Sequence, residues 1–179
     1  MDQITLEAAR RGDRGAQANL LRELQDPWYR FCLSLLGNAD DARDAVQETA
    51  FRFLRDLSRF RGNSSITTWS LGIALNVTRE MRRKVRPALR IEPENDFIPA
   101  KLGATDTPDG RAVFSESQSM LRESLDGLPE RQREAVLLRY FEELSVEETA
   151  AAMNCAVGTV KATVYQALRT LRNKLGHLI

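Results

Sequence analysis

Histidine and cysteine are scarce: His177, Cys32 and Cys155 are the whole supply in 179 residues, and the cysteines form no Cys-x-x-Cys pair. That scarcity excludes a disulfide framework and a zinc cluster, which need several such side chains at close spacings. No apolar run approaches the ~18 residues of a membrane span, and the first residues lack the basic, apolar, small-residue order of a secretory signal. The expected location is the cytoplasm, without membrane insertion. No segment reads convincingly as a strand, and there is no internal repeat. No carboxylate pair shows a metal or acid/base spacing, so no catalytic residue, metal, cofactor or small-molecule substrate is expected. What is present is apolar material, 42% of residues, enough for one ordinary domain or two small ones.

The net charge of +1 conceals a division along the chain. Residues 1–86 hold 15 Lys/Arg and 11 Asp/Glu, and residues 87–115 hold 3 and 5. Residues 116–148 carry 4 basic and 9 acidic side chains, whereas 149–179 carry Lys161, Arg169, Arg172 and Lys174 with no acid. Local concentrations of positive charge suit nucleic acid, because neutralising phosphates releases their counterions.

Four of the six prolines (Pro87, Pro93, Pro99, Pro108) lie between 87 and 115, with no apolar periodicity around them. Proline removes amide donors and disfavours helix in the preceding residue, so this stretch reads as an extended linker between two helical units, 1–86 and 116–179. Fully stretched, its residues reach roughly 100 Å at ~3.5 Å each.

In the first unit, Leu20, Leu24, Trp28, Phe31, Cys32, Leu35 and Leu36 form one apolar stripe on a helix or helix pair around Pro27, ended by Gly37. Asp40 or Asp41 is the expected cap of a second helix with Ala42, Ala45, Val46, Ala50, Phe53, Leu54 and Leu57 inward and Asp44, Gln47 and Glu48 on another face. After an Arg61-Gly-Asn-Ser64 turn, Ser64 or Ser65 caps a third helix, with Ile66, Trp69, Ile73, Ala74, Val77 and Met81 inward and Asn76, Arg79 and Arg83 outward. Its end is basic (Arg79, Arg82, Arg83, Lys84, Arg86), which complements either a helix dipole or DNA.

In the second unit, Ser115 starts a short helix ending near Gly127, and Pro129 takes the first-turn position of the next, which carries Ala135, Val136, Leu138 and Phe141. Ser145-Val-Glu-Glu148 has the capping-box pattern, Asn154 suits a left-handed turn residue, and Val157, Val160, Val164, Leu168, Leu171 and Leu175 form a buried stripe. Two helices about a short turn make a helix-turn-helix. The stripe turns Thr159, Ala162, Gln166, Arg169 and Asn173 outward, with Lys161, Thr163, Tyr165 and Arg172 on the flanks, where phosphate contact is usual. The bland alternative is a helical hairpin in an ordinary bundle with a solvated basic face. Asp44, Gln47 and Glu48 likewise read as a solvated face or a docking site. Phe60 and Trp69 read as core or as platforms for unpaired bases.

In combination these blocks resemble the bacterial sigma factors of the extracytoplasmic-function (ECF) group. The resemblance rests on Asp40-Asp-Ala-Arg-Asp-Ala-Val-Gln-Glu48, Phe60-Arg-Gly-Asn-Ser-Ser-Ile-Thr-Thr-Trp69, Ile73-Ala-Leu-Asn76, Leu125-Asp-Gly-Leu-Pro-Glu-Arg-Gln-Arg133, and Leu144-Ser-Val-Glu-Glu-Thr-Ala150 leading into Val157-Gly-Thr-Val-Lys161. It implies an all-α protein of two small domains joined by an extended linker, the second containing the helix-turn-helix. The implied partners are core RNA polymerase and promoter DNA, with an anti-sigma factor as a further candidate. Asp44, Gln47 and Glu48 would dock on the polymerase clamp coiled coil. The loop after Phe60 (Asn63, Ser64, Ser65) would read a flipped base of the minus-10 element, with Trp69, Asn76, Arg79 and Arg83 along the fork. The helix carrying Thr159, Lys161, Ala162, Thr163, Tyr165, Gln166 and Arg169 would enter the major groove at minus-35.

Elements about 17 base pairs apart are separated by roughly 60 Å at ~3.4 Å per base pair, within the linker's reach. The linker acids Glu92, Glu94, Asp96, Asp106 and Asp109 would mimic nucleic-acid charge in the polymerase channel. The chain departs from the family pattern in its recognition helix: Ala162-Thr163 replaces Ser-Arg, Gln166 and Leu168 stand where arginines are common, and Ala156 replaces the capping serine at a cost of about 1 kcal/mol. Gln166 suits the edge of an adenine. The competing functional class is a helix-turn-helix regulator with an N-terminal sensor or dimerisation domain.

Overall fold

The structure, a computed structural model, describes residues 3–88 and 122–175. All regular elements among them are helical: α1 (Gln3–Arg10), α2 (Arg14–Leu36), α3 (Ala39–Asp56), a 3-10 turn (Leu57–Arg59), α4 (Ile66–Ala88), α5 (Glu130–Val136), α6 (Val146–Met153) and α7 (Val157–Leu175). Residues 122–126 are also helical. The helix start expected at Ser115, the proposed linker acids and His177 lie outside the described residues.

α2 is one helix through Pro27, not a pair. The proline forfeits one amide hydrogen bond, but Leu24, Trp28 and Phe31 on either side of it are buried, so packing holds the helix continuous. Asp13 caps its start by accepting from the Ala16 amide at 2.7 Å. Gly37 ends it at φ +76°, a conformation glycine adopts without steric penalty.

The cap of α3 is Asn38 rather than Asp40 or Asp41: its Oδ1 accepts from both of their amides, at 2.8 and 3.3 Å. The two aspartates occupy the first turn instead, where negative charge complements the helix dipole. Ser65 caps α4, accepting from the Thr68 amide at 3.0 Å. α4 then runs through Pro87 to Ala88, slightly into the stretch expected to be extended. A proline in the last turn of a helix forfeits only one bond, and that cost does not stop the helix.

Trp28, Phe31, Phe53, Leu57, Leu71 and Leu75 fill the core of the N-terminal unit. Trp28 meets Phe53 edge-on at 5.3 Å between ring centroids, and Trp69 bridges Phe53 and Phe60 at 5.5 and 5.1 Å. The Trp28 indole N–H donates to the Ser70 hydroxyl at 3.0 Å, which satisfies the one polar group this core buries with the ring. Arg52, bonded at 2.6 Å to Glu48 of its own helix, fastens α3 to α4 with two 2.8 Å bonds to the Glu80 carboxylate. These bonds hold the Glu80 carboxyl below its ordinary range.

In the C-terminal unit Pro129 stands one position earlier than expected, at the cap of α5, its carbonyl accepting from Gln132 and Arg133. α5 does not close as a regular helix. Residues Leu137–Phe141 form a π-turn in which the Glu142 amide reaches back to the Leu137 carbonyl at 3.0 Å. The wider turn rotates the end of the helix, so Phe141 is exposed while Ala135, Val136 and Leu138, carried by the same segment, are buried. Ser145 and Glu148 make the predicted capping box, at 2.9 and 3.0 Å, and Asn154 is left-handed at φ +51°. In α7 the buried line is Val160, Ala167 and Leu171 with Val164 half-buried; Leu168, about 80° off that line at 100° per residue, is exposed.

The two units pack together, α4 lying against α6. A Cβ built on Gly72 of α4 would stand 3.3 Å from the Ala152 carbonyl oxygen of α6, so the helices approach where a side chain is missing. Arg133, buried, donates to the Leu35 carbonyl at 3.1 Å, satisfying one of the carbonyls that a helix end leaves open. The same guanidinium meets Asp126 at 3.0 Å. Packing also encloses Cys32, whose thiol burial pushes up to about 12 with a lesser contribution from Glu142.

Candidate nucleic-acid interface

Three groups of side chains stand out. On α3, Asp44 and Gln47 are exposed, and Glu48 is exposed while bonded to Arg52. Phe51, absent from the sequence expectation, falls between them on the same face and is 64% exposed. Only the hydrophobic pattern hinted at it: Phe51 lies outside the inward stripe, and an exposed large apolar side chain on a polar helix face is informative where an exposed charge is not.

The second group lines the turn and α4. Gly62 turns the chain at φ +74° and leaves Asn63 exposed. Ser64 is half-buried, its hydroxyl within 3.4 Å of the Ser65 carbonyl. The Ser65 hydroxyl is committed to its cap and to Thr68 Oγ1 at 2.8 Å. Phe60 is 6% exposed and Trp69 half-buried, both within the aromatic cluster that supports the turn from below. Asn76, Arg79 and Arg83 converge on one cleft of about 610 Å³, walled on the far side by Arg131 and Glu134 of the second unit. Arg79 is tied there: Nε and Nη2 donate to the two Glu134 carboxylate oxygens at 2.9 and 2.6 Å. That pairing raises the guanidinium above its ordinary range. Nothing in the sequence pattern links these two residues, which are 55 positions apart.

The third group is the outer face of α7. Thr159, Lys161, Ala162, Tyr165, Gln166 and Arg169 are exposed, and Thr163 is half-buried at the flank. Ala156 occupies the cap position through its carbonyl alone, which accepts from Thr159 at 2.9 Å and Val160 at 3.2 Å. With no acid on the helix, this face has the sign and shape that a major groove accepts.

A helix-turn-helix with a basic outer helix, joined to a second helical unit whose long helix carries Arg79, Arg82 and Arg83, defines a two-domain DNA-binding protein. Comparison with known proteins carries that class to a family. Residues 20–87 match Sigma-70 region 2 and residues 118–171 match Sigma-70, region 4. The ECF RNA polymerase sigma-E factor of Haemophilus influenzae is 32% identical over 99% of this chain and 97% of its own length. The ECF sigma factor SigW of Bacillus subtilis is 28% identical, covering 97% and 96%. Among solved structures, the sigma factor RpoE of Bartonella quintana, in complex with the anti-sigma factor NepR, matches with a TM-score of 0.65 and 26% identity over 89% of this chain and 96% of that one. CnrH in complex with the cytosolic domain of CnrY shares the fold, with a TM-score of 0.73 at 20% identity over 98% and 97%. The chain belongs to the ECF sigma factors, non-catalytic initiation factors that direct RNA polymerase to promoters. Matches to both regions in order disfavour the alternative of a regulator with an unrelated sensor domain.

Proposed function

We propose a division of labour along the chain. Residues 1–86 dock on core polymerase and open the minus-10 element, 87–115 tether, and 116–179 read minus-35. On α3, Asp44, Gln47 and Glu48 supply polar contacts to the polymerase, and Phe51 supplies an apolar anchor at their centre. Asn63 and Ser64 receive the flipped base, for which hydrogen bonds and stacking offset the few kcal/mol of unstacking. Ser65, Phe60 and Trp69 fix the shape of that turn. Asn76, Arg79 and Arg83 contact the strand beside it. On α7, Lys161, Thr163, Tyr165 and Arg169 hold phosphates, while Thr159, Ala162 and Gln166 face base edges.

The phosphodiester chemistry belongs to the polymerase, and this subunit contributes no catalytic residue. It works in the cytoplasm, where the polymerase is, and an anti-sigma protein is its proposed antagonist, as NepR is of the Bartonella factor. The observation that carries this reading is that one chain has arginines and lysines on two separate helix faces, that of α4 with Arg79, Arg82 and Arg83 and the outer side of α7 with Lys161 and Arg169, besides a face of α3 that exposes Asp44 and Glu48.

The test is transcription by purified core polymerase, with and without the protein, on a library of randomised promoters. Selective initiation that needs both upstream and downstream sequence is expected; unselective initiation in its presence overturns the reading. Asp44→Arg is expected to weaken association with core while shifting stability by no more than about 0.5 kcal/mol, as exposed substitutions do. Unchanged core affinity removes the docking assignment.

A further inference from the structure

We propose that Arg52 couples polymerase docking to DNA binding: its guanidinium is shared between Glu48 on the docking face of α3 and Glu80 on the DNA face of α4, so a polymerase cation that takes Glu48 leaves Arg52 to neutralise Glu80. This rests on the docking role of Glu48 and the DNA role of Asn76 and Arg83 proposed above. Arg52 is a positioning residue, acting through the two carboxylates. Glu80 stands four residues after Asn76 and three before Arg83, and side chains at those spacings are neighbours on a helix surface. All three line the cleft that also holds Arg52 and Arg79. Left uncompensated, a carboxylate there repels the phosphate that Asn76 and Arg83 hold. Arg52 removes that obstacle from the neighbouring helix, with Nη1 and Nη2 donating to the two Glu80 oxygens, both at 2.8 Å. A bidentate guanidinium–carboxylate pair is the strong form of such a contact. These bonds are the first cause that holds the Glu80 carboxyl below its ordinary range, and the charges of Arg83 and Lys84 add less.

The remaining donor of the same fork serves the docking face. Arg52 Nε donates at 2.6 Å to Glu48, one turn back along α3, and Glu48 is exposed. The guanidinium is raised above its ordinary range by Glu80 first and by Glu48 second, so both acids draw on one cation. Two carboxylates against one guanidinium leave the Glu48–Arg52–Glu80 trio with one net negative charge in the free chain. A cation brought to Glu48 by the polymerase cancels that charge, and the repulsion felt by phosphate on the α4 face falls with it. A single side chain spans the two faces, so the coupling requires no rearrangement of either helix. By reciprocity, DNA on α4 tightens the hold on polymerase by the same factor.

The experiment uses holoenzyme assembled from purified core and the full chain, on a promoter recovered from the randomised library. Arg52→Gln is expected to weaken promoter binding about tenfold, the scale of one uncompensated charge near a phosphate at a protein surface. Glu80→Gln, which removes the repulsion and frees Arg52, is expected to tighten it. The double variant, Arg52→Gln with Glu80→Gln, removes one charge of each sign, and its binding is expected to return to within about twofold of the parent. Urea midpoints separate this from simple fastening: both proteins without Arg52 lose the bond between α3 and α4, so stability stays low while binding recovers. A double variant that binds as weakly as Arg52→Gln overturns the proposal. Core affinity, measured with and without the promoter, reads the coupling. The gain from DNA is expected to shrink about threefold in Glu80→Gln, and an undiminished gain overturns the link to docking. Arg83→Gln tests the reading beneath. If it leaves promoter binding unaltered, DNA does not lie on α4 and that reading has failed; if it weakens binding while Arg52→Gln does not, the proposal alone has failed.

Discussion

α4 and α7 are long helices of 23 and 19 residues, each with a polar face suited to DNA, yet they stand in opposite circumstances. The face of α7 looks outward, with Gln166, Arg169 and Lys161 exposed. That of α4 is covered in part by the other unit, its Arg79 paired and its Thr68 buried. Their supports differ too. α4 sends Trp69 into an aromatic cluster with Trp28, Phe53 and Phe60, whereas α7 turns the aliphatic side chains of Val160, Ala167 and Leu171 inward, packing against α5 and α6. The same chemistry on a helix surface is thus available or withheld according to what packs on it.

Breaking the support of α4 has the largest expected effect. Trp28→Ala removes a fully buried ring and orphans the Ser70 bond, and is expected to cost about 3–5 kcal/mol, read from the urea midpoint. A loss comparable to that of a surface substitution would mean the cluster is not what holds α4. On the α7 side, Gln166→Ala is expected to relax selection at one upstream base by about 1–3 kcal/mol with promoter opening unaltered, measured by transcription from the four single-base variants. Equal discrimination by both proteins would leave the α7 face contacting only phosphates.

Ser145→Ala sharpens the comparison at the junction. Loss of the cap is expected to lower stability by about 1 kcal/mol in thermal melts. The cap glutamate also accepts from Thr68, and together these hydrogen bonds, the Ser145 amide first, hold the Glu148 carboxyl below its ordinary range. Ala156→Ser has the smallest effect, a stabilisation of about 0.5–1 kcal/mol from supplying the oxygen that the α7 start lacks. No gain would show that the Ala156 carbonyl and solvent already suffice.

Much of the fold is legible in the linear pattern, and the failures share a cause. The Ser145–Glu148 box, the left-handed Asn154 and the end of α2 at Gly37 depend on residues within one turn of each other, so the sequence states them directly. Asn38 does not stand out as a cap because the two aspartates after it are equally good candidates by residue type, and only backbone geometry separates them. The π-turn that expels Phe141 breaks the period on which stripe counting relies. Phe51 carries no marker except its position off the inward face.

Local chemistry determined which segments are helical, where most of them start and stop, and which side chains they carry outward, because those choices are made over three to five residues. The pairing of Arg79 with Glu134, the capping of α2 by Arg133 and the seating of α6 on Gly72 were decided by tertiary structure alone. Each joins positions separated by dozens of residues, and a carboxylate or guanidinium holds no record in its neighbours of which distant charge will neutralise it.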